Sequence, residues 1–351
     1  MRENEPVGVN VKDVAARAGV SPRTVSNVAN GYVHVSARTR ARVQRAIEEL
    51  NYRPNISARR LRQGRTGIIA LAVPELAAPY FAELADLVQR RAAERGVTVL
   101  VDQTGGLREQ ELLVLEGFRT HVIDGLLFSP MALTAQDLED HSFDTPTVLL
   151  GERISGGGRL HVSIDNVAAA RTATQHLIDG GRRRIAAVGA DVPADNITAA
   201  LRLRGYREAI TDAGLATKNE MVIPTAGFGR TAGHAAVRAA LSEGIDLDGL
   251  FCFNDTLAIG AINALADVGL TVPGDVAVVG IDNIEEGRFC TPSLTTIAPD
   301  KPTIARTAVD GLLAQIQDGH ADQQELTCDY ELIIRESSTK LRRRPRGRAR
   351  R

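Results

Sequence analysis

Near residue 66 the apolar pattern of this chain changes its period, and that change restricts the fold more than any other feature. Upstream, apolar residues recur at helical spacing: Val11, Val14, Ala15 and Ala18 share one face. Gly19 stands where a helix-ending glycine belongs, and Ser21-Pro22 offers an N-cap followed by proline at the first helical position. A second helix carries Val25, Val28 and Ala29 inward and stops near Asn30-Gly31. A third, starting after Ser36, turns Val43, Ala46, Ile47 and Leu50 inward. Two short helices joined by a tight turn and closed by a third fit the helix-turn-helix plan. Downstream, strand-like runs at 68–73, 97–101, 125–128, 147–150, 185–188, 250–253 and 276–279 alternate with amphipathic stretches such as 81–95, 168–178, 200–212 and 231–243. That alternation predicts parallel sheets covered by helices on both faces, and about 270 residues of it suffices for two doubly wound lobes.

The expected organisation is an all-α helix-turn-helix head over residues 1–53, a linker over 54–66, a two-lobed α/β body over 67–336, and a disordered basic tail over 337–351. The linker is too short and too basic to be a core element. A helix of one or two turns is marginal in water, so its order should depend on a partner.

Charge is unevenly spread. Residues 1–65 hold 13 Lys/Arg against 5 Asp/Glu, residues 335–351 hold 9 against 1, and the stretch between holds 20 against 37. A basic head and tail on an acidic body point to a polyanionic partner. The same counts also fit arginine used merely as a solubilising residue, so charge alone does not choose. Cys252, Cys290 and Cys328 are widely spaced with no CxxC, which argues against a disulfide framework or a cysteine metal site and fits a reducing cytoplasm. No signal peptide and no membrane span are expected. HExxH, GxSxG, GxxxxGK[ST] and a GxGxxG after a strand are all missing, so hydrolase, dinucleotide and NTPase chemistry has no support. The expectation is a non-enzyme without cofactor or metal.

The decisive residues are Val11-Lys12-Asp13-Val14-Ala15, Ala18-Gly19-Val20-Ser21-Pro22, Thr24-Val25-Ser26, Asn30-Gly31, Val35-Ser36, Thr39-Arg40, Leu50-Asn51-Tyr52 and Pro54-Asn55. Together they closely resemble the DNA-binding head of the lactose-repressor (LacI/GalR) family. The resemblance continues to about Glu336 through a body similar to periplasmic sugar-binding proteins. The second helix would lie in the major groove, where each base pair shows a distinct donor and acceptor pattern. Its outward residues are Pro22, Arg23, Ser26 and Asn27; Arg23 suits guanine and Asn27 adenine. The resemblance puts Pro22, Arg23 and Asn27 at base-reading positions. Many relatives carry arginine where this chain has Asn27, which implies a different half-site base. Ser21, Thr24, Ser36 and Thr39 are placed for phosphates, which position without specifying; Ser21 also caps its helix, and the alternative for Thr24 is packing.

The resemblance further implies that the linker becomes a hinge helix when two subunits meet on an operator. Leu61 would then wedge into the minor groove, with Asn55 and Ala58 against it. The alternative for Leu61 is packing on the body.

In doubly wound lobes, ligands sit at the carboxyl ends of strands. Tyr80, Phe81, Arg202, Phe228, Asn254, Asp255 and Asp282 lie where the chain leaves strands or enters helices. They supply the carboxylates, amide, guanidinium and aromatic plates that a polyol needs. The resemblance implies effector contact for Arg202, Phe228, Asn254 and Asp282. A helix cap is the alternative for Asp255 and for Asp165-Asn166, a structural ion pair for Arg202 and Asp282, and packing for Tyr80 and Phe81. Head, linker and cleft together imply a sequence-specific transcription regulator, a repressor binding a palindromic operator as a homodimer, with affinity set by a sugar-like effector. No C-terminal leucine heptad is present to build tetramers. A solute-binding protein would lack residues 9–61 and need an export signal; an enzyme with a fused head would need a catalytic constellation. Whether the effector relieves or enforces repression stays open.

Overall fold

The computed structural model describes residues 9–29, 32, 34–52, 65–117, 123–140, 145–152, 154, 159–190, 196–216, 219–319 and 324–339. The chain divides into two units, 1–66 and 67–351.

In the first unit, α1 (Val11–Ala18), α2 (Pro22–Ala29) and α3 (Ala37–Glu49) close over Val14, Ala15, Ala18, Val25, Val28, Val43 and Ala46. The helix ends are fixed by local chemistry. Asn10 and Asp13 form a reciprocal capping box on α1. Gly19 adopts φ 62°, and its N–H satisfies the Ala15 and Ala16 carbonyls. Arg42 reaches from α3 to the Ala18 carbonyl (2.5 Å) and the Gly19 carbonyl (2.9 Å), tying the end of α1 to the third helix. Ile47 and Leu50 pack on the core half-buried. Ala29, expected inside, is exposed, because α2 ends there.

In the second unit the first lobe is built from β1 (Ile68–Val73), α4 (Pro79–Glu94), β2 (Thr98–Gln103), α5 (Arg108–Gly117), β3 (Gly125–Phe128), α6 (Ala135–Asp140), β4 (Thr147–Leu150) and β5 (Leu160–Ile164). The second lobe continues with α7 (Asn166–Asp179), β6 (Ile185–Ala190), α8 (Ile197–Asp212), β7 (Val222–Pro224), α9 (Arg230–Ser242), β8 (Gly249–Cys252), α10 (Asp255–Asp267), β9 (Ala277–Ile281), α11 (Glu285–Phe289) and β10 (Thr295–Pro299). Then α12 (Lys301–Asp318) and β11 (Glu325–Cys328) return to the first lobe, and β12 (Tyr330–Ile333) belongs to the second.

Among the described residues the sheets run β11-β5-β4-β3-β1-β2 and β12-β10-β9-β8-β6-β7. Every pairing is parallel except β12 with β10. Central strands such as β3 and β4 are buried along their whole length, as sheets covered on both faces require. The return of α12 to the first lobe is visible at Gly125, where an added Cβ would lie 2.8 Å from Leu312 Cδ1. The chain crosses between lobes at Asp165, Asp300 and Asp329. Asp165 and Asp300 cap the helices they lead into, and the Asp300 N–H donates to the Asp329 carbonyl (3.0 Å).

The body extends past its expected end. Ser337 is fully buried; its hydroxyl donates to the Val278 carbonyl (2.7 Å) and accepts from the Thr295 N–H (2.8 Å). Residues 337–339 therefore belong to the second lobe rather than to a tail. The hinge residues Asn55, Ala58 and Leu61 and the basic segment 340–351 lie outside the described residues.

Candidate functional site

On the head, α2 buries Val25 and Val28 and turns its opposite face outward. Pro22 and Arg23 are exposed, and Thr24, Ser26 and Asn27 are half-buried. Arg23 is exposed, and its side chain forms no hydrogen bond with another described residue. Ser21 caps α2: its hydroxyl accepts from the Thr24 N–H (3.1 Å) and pairs with the Thr24 hydroxyl (2.9 Å). Ser36 repeats the device on α3 with the Thr39 N–H (3.2 Å) and hydroxyl (2.9 Å). Because Ser36 donates to Thr39, the Thr39 hydroxyl proton stays free for an outside acceptor. At α3 the N–H groups of Ala37 and Arg38 remain beside these hydroxyls, which suits an anion, whereas at α2 Pro22 has no N–H and only that of Arg23 remains.

In the body, strand order reverses between β1 and β3 in one sheet and between β6 and β8 in the other. Ligand crevices open at the carboxyl ends beside such reversals. A cavity of about 810 Å³ lies there, touched by Pro74 after β1, Ser129 after β3 and Asn254 after β8. Tyr80, Phe81, Arg202, Phe228, Asn254 and Asp282 all line it.

Arg202 projects from α8 and is only 8 % exposed. Nε donates to Asn166 Oδ1 (2.6 Å) and Nη1 to the Phe253 carbonyl. Nη2 lies 4.0 Å from Asp282 Oδ1, too long for a hydrogen bond and open to a bridging group. Burial pushes the Asp282 carboxyl up to about 6 against the pull of Arg202 and Lys301. Asp282 and Asn283 both hold positive φ, 117° and 50°, a conformation seldom adopted by non-glycine residues and concentrated at ligand sites. Asn254 caps α10 through Oδ1 (Leu257 N–H, 2.8 Å) and donates from Nδ2 to the Phe228 carbonyl (3.1 Å), which fixes the aromatic wall to the helix start. Tyr80 and Phe81 meet edge to face at 5.2 Å. Burial, then Asp282, pushes the Tyr80 phenol up, so it remains a donor.

Asp255 does not join this set. It is fully buried beneath the cavity wall, accepting from the Ile284 N–H (3.0 Å) and the Thr296 hydroxyl (2.6 Å). Burial, then Asp282, raises its carboxyl well above the usual range. As the first residue of α10 it points back toward Gly280 on β9, away from the cavity, and its role is structural. Asp165 caps α7, while Asn166 supports Arg202 from below.

Residues that the sequence reading passed over also line the cavity: Glu152, Thr198, Gln103, Ser129 and Arg108. The Thr198 hydroxyl donates to Glu152 Oε2 (2.9 Å), linking the two lobes across the cleft. Glu152 comes two residues after strand β4, so the strand-exit rule applied elsewhere would have found it. Arg108 pairs with Asp137. Glu111 is fully buried and accepts from the N–H groups of Met131, Ala132 and Leu133 (2.6, 3.1 and 2.9 Å), holding the loop that forms one wall. Among the described residues, no cluster of His, Cys, Asp or Glu is placed to hold a metal, and no helix is long and apolar enough to cross a membrane.

The model for bacterial regulatory proteins of the lacI family matches residues 10–55, and that for a periplasmic binding protein-like domain matches 174–338. The ribose operon repressor of Escherichia coli (strain K12) is 34 % identical over 330 residues, covering 93 % of this chain and 99 % of the repressor. The chain belongs to the lacI family of bacterial regulatory proteins. It is similar in structure to the lac repressor dimer bound to operator and the anti-inducer ONPF (28 % identity, TM-score 0.83, covering 95 % of this chain and 100 % of that one). It is also similar to the transcriptional regulator CelR in its cellobiose complex (32 % identity, TM-score 0.69, 94 % and 99 % covered). This family member is a DNA-binding transcription regulator under small-molecule control, and not an enzyme.

Proposed function

We propose that the chain is a homodimeric cytoplasmic repressor whose hold on a palindromic operator is set by a sugar in the cleft. The observation that carries this is convergence: six residues far apart in sequence, Tyr80, Phe81, Arg202, Phe228, Asn254 and Asp282, face one cavity between two lobes. That set offers a guanidinium, a carboxylate, an amide and aromatic faces, the partners of a polyol with polar rim and apolar faces. On the head, Arg23 and Asn27 read base edges in the major groove, with Pro22 and Ser26 beside them. Ser21, Thr24, Ser36 and Thr39 hold phosphates. Asn55, Ala58 and Leu61 enter the minor groove when paired hinges form on DNA. A sugar acts by binding the operator-competent and operator-incompetent arrangements with different affinity. Ribose and cellobiose, named in the descriptions of two relatives, are the first compounds to try.

Thermal stability of the purified protein against neutral sugars, sugar phosphates and nucleobases tests the proposal. A ligand at 100 times its Kd adds about 2.7 kcal/mol, a visible rise in the melt. A sugar that raises the melt and changes operator affinity supports the proposal. A nucleobase as the sole hit replaces the sugar, and a silent panel rejects the cleft as an effector site.

A further inference from the structure

A buried lysine outside the cavity joins the two lobes. Lys301 opens α12 directly after the second crossover and is 7 % exposed. Its ammonium donates to the Asp282 carbonyl (2.8 Å), to the Asn283 carbonyl (3.3 Å) and to Glu83 Oε2, which occupies all three of its protons. It also lies 5.8 Å from the centre of the Tyr80 ring. Glu83 sits on α4 of the first lobe, and its other oxygen accepts from the Glu285 N–H of the second lobe (2.9 Å). Asp282 thus has two ends in different places. Its carboxylate faces the cavity beside Arg202, and its carbonyl is held by Lys301. The loop is otherwise stiff: Asn283 is bound by Arg335 (2.5 Å) and by the Thr296 hydroxyl (3.2 Å). A group that pulls the Asp282 backbone along with its carboxylate either turns the carbonyl off Lys301 or carries Lys301, Glu83 and α4 with it.

We propose that Lys301 is a positioning residue for the effector response: with Glu83 it forms a strut that couples the Asp282 loop to α4, so that occupancy of the cleft sets the spacing of the lobes. The proposal rests on the cleft being the effector site.

The test compares the full-length protein with Lys301→Met, Glu83→Gln and the double variant. The probes are D-ribose and cellobiose, with a palindromic duplex selected from random-sequence DNA. In each single variant, operator affinity without sugar should stay within about threefold of the parent, since both residues belong to the body and neither lines the cavity. The factor by which the active sugar changes that affinity should shrink roughly tenfold or more (about 1.4 kcal/mol of coupling). The double variant should lose no more than either single one, as expected of two ends of one strut. Where a sugar changes the parent's operator affinity, an equal change in the variants, or losses that multiply in the double variant, overturns the proposal. If Lys301→Met does not fold, Glu83→Gln, which keeps shape and removes charge, decides on the same criterion. Hydrogen exchange at the Glu285 amide needs no ligand. It should be slow in the parent and at least roughly tenfold faster in Glu83→Ala; equal rates overturn the strut. If neither sugar moves the parent's operator affinity while that exchange difference is seen, the failure falls on the sugar assignment and the strut stands.

Discussion

Two arginines, one on each unit, occupy opposite surroundings. Arg23 is exposed on α2 and its side chain has no hydrogen bond to another described residue, whereas Arg202 is buried with Asn166, the Phe253 carbonyl and Asp282 around it. A guanidinium has five N–H donors in a rigid fork. The Arg23 fork is exposed and engages none of them with another described side chain or carbonyl. Arg202 spends two on the protein, so its remaining edge is aimed at the cavity before any ligand arrives. On the proposed reading, the head's contact is completed only by its partner. The cleft is a preorganised site that loses less freedom per contact.

The largest expected effect lies at the buried arginine. Arg202→Ala leaves Asp282 with Lys301 alone as a nearby cation and Asn166 without its donor, and breaking a buried charge pair costs up to about 3–5 kcal/mol. Sugar affinity should fall by roughly two orders of magnitude or more, the melt should drop by several degrees, and operator binding without sugar should persist. Calorimetric titration beside a mobility shift on the same preparation measures both. A normal sugar response in this variant would falsify the assignment of the cleft.

Arg23→Ala should do the reverse. The melt should not change, and operator affinity should drop by about 1–3 kcal/mol, with selectivity relaxed at one base pair per half-site. Binding measured across a set of single-base operator variants separates the outcomes. An equal loss on every sequence would make Arg23 a phosphate contact and erase its contrast with Ser21 and Thr39.

The same contrast governs what could be read in advance. The head was legible because its information is local: Gly19, Ser21-Pro22 and Ser36 punctuate helices within a few residues of where they act. In the body, unbroken apolar strands such as Ile68–Val73 and Gly125–Phe128 stood out, whereas Leu160–Ile164, with His161 and Ser163 in it, and the threonine-led Thr295–Pro299 did not. The lobe crossings at Asp165, Asp300 and Asp329 were invisible, since which sheet a strand joins depends on partners far along the chain. Asp255 and Asp282 show the limit most sharply. Both come after a strand and look interchangeable in sequence. One starts a helix that turns its carboxylate into the core. The other takes a left-handed φ that turns it into the cavity.

A smaller effect separates the units by pH. Burial holds the Asp282 carboxyl near 6, with Glu152 and Glu83 pushing the same way and Arg202 and Lys301 opposing. Sugar hydroxyls donate to the charged form. Sugar affinity should therefore be full above pH 7 and fall several-fold as pH drops through 6, with Asp282→Asn showing no such step. Stability responds with the opposite sign. Between pH 6 and the ordinary aspartate value of about 3.9, the folded state binds the proton more readily than the unfolded chain. Acidification over that window favours the fold at this group, and the gain is lost as pH rises through 6. Operator binding by Arg23 should show no step at pH 6. A step of equal size in Asp282→Asn would assign the titration elsewhere.

The smallest expected change concerns residues 340–351, whose eight basic residues extend the contrast from one exposed arginine to many. Contacts to phosphates add affinity on every sequence and steepen its dependence on salt by about 0.9 in log–log slope per neutralised phosphate. They do not rank one operator above another. Removing 340–351 should therefore leave the order of preference among operators intact and lower the salt slope, while Arg23→Ala changes the order and moves the slope little. Titrations of both variants at several salt concentrations separate the two kinds of arginine. An unchanged slope in the truncated protein would mean that the tail touches no DNA, and base reading and phosphate attraction would then both reside in residues 9–65.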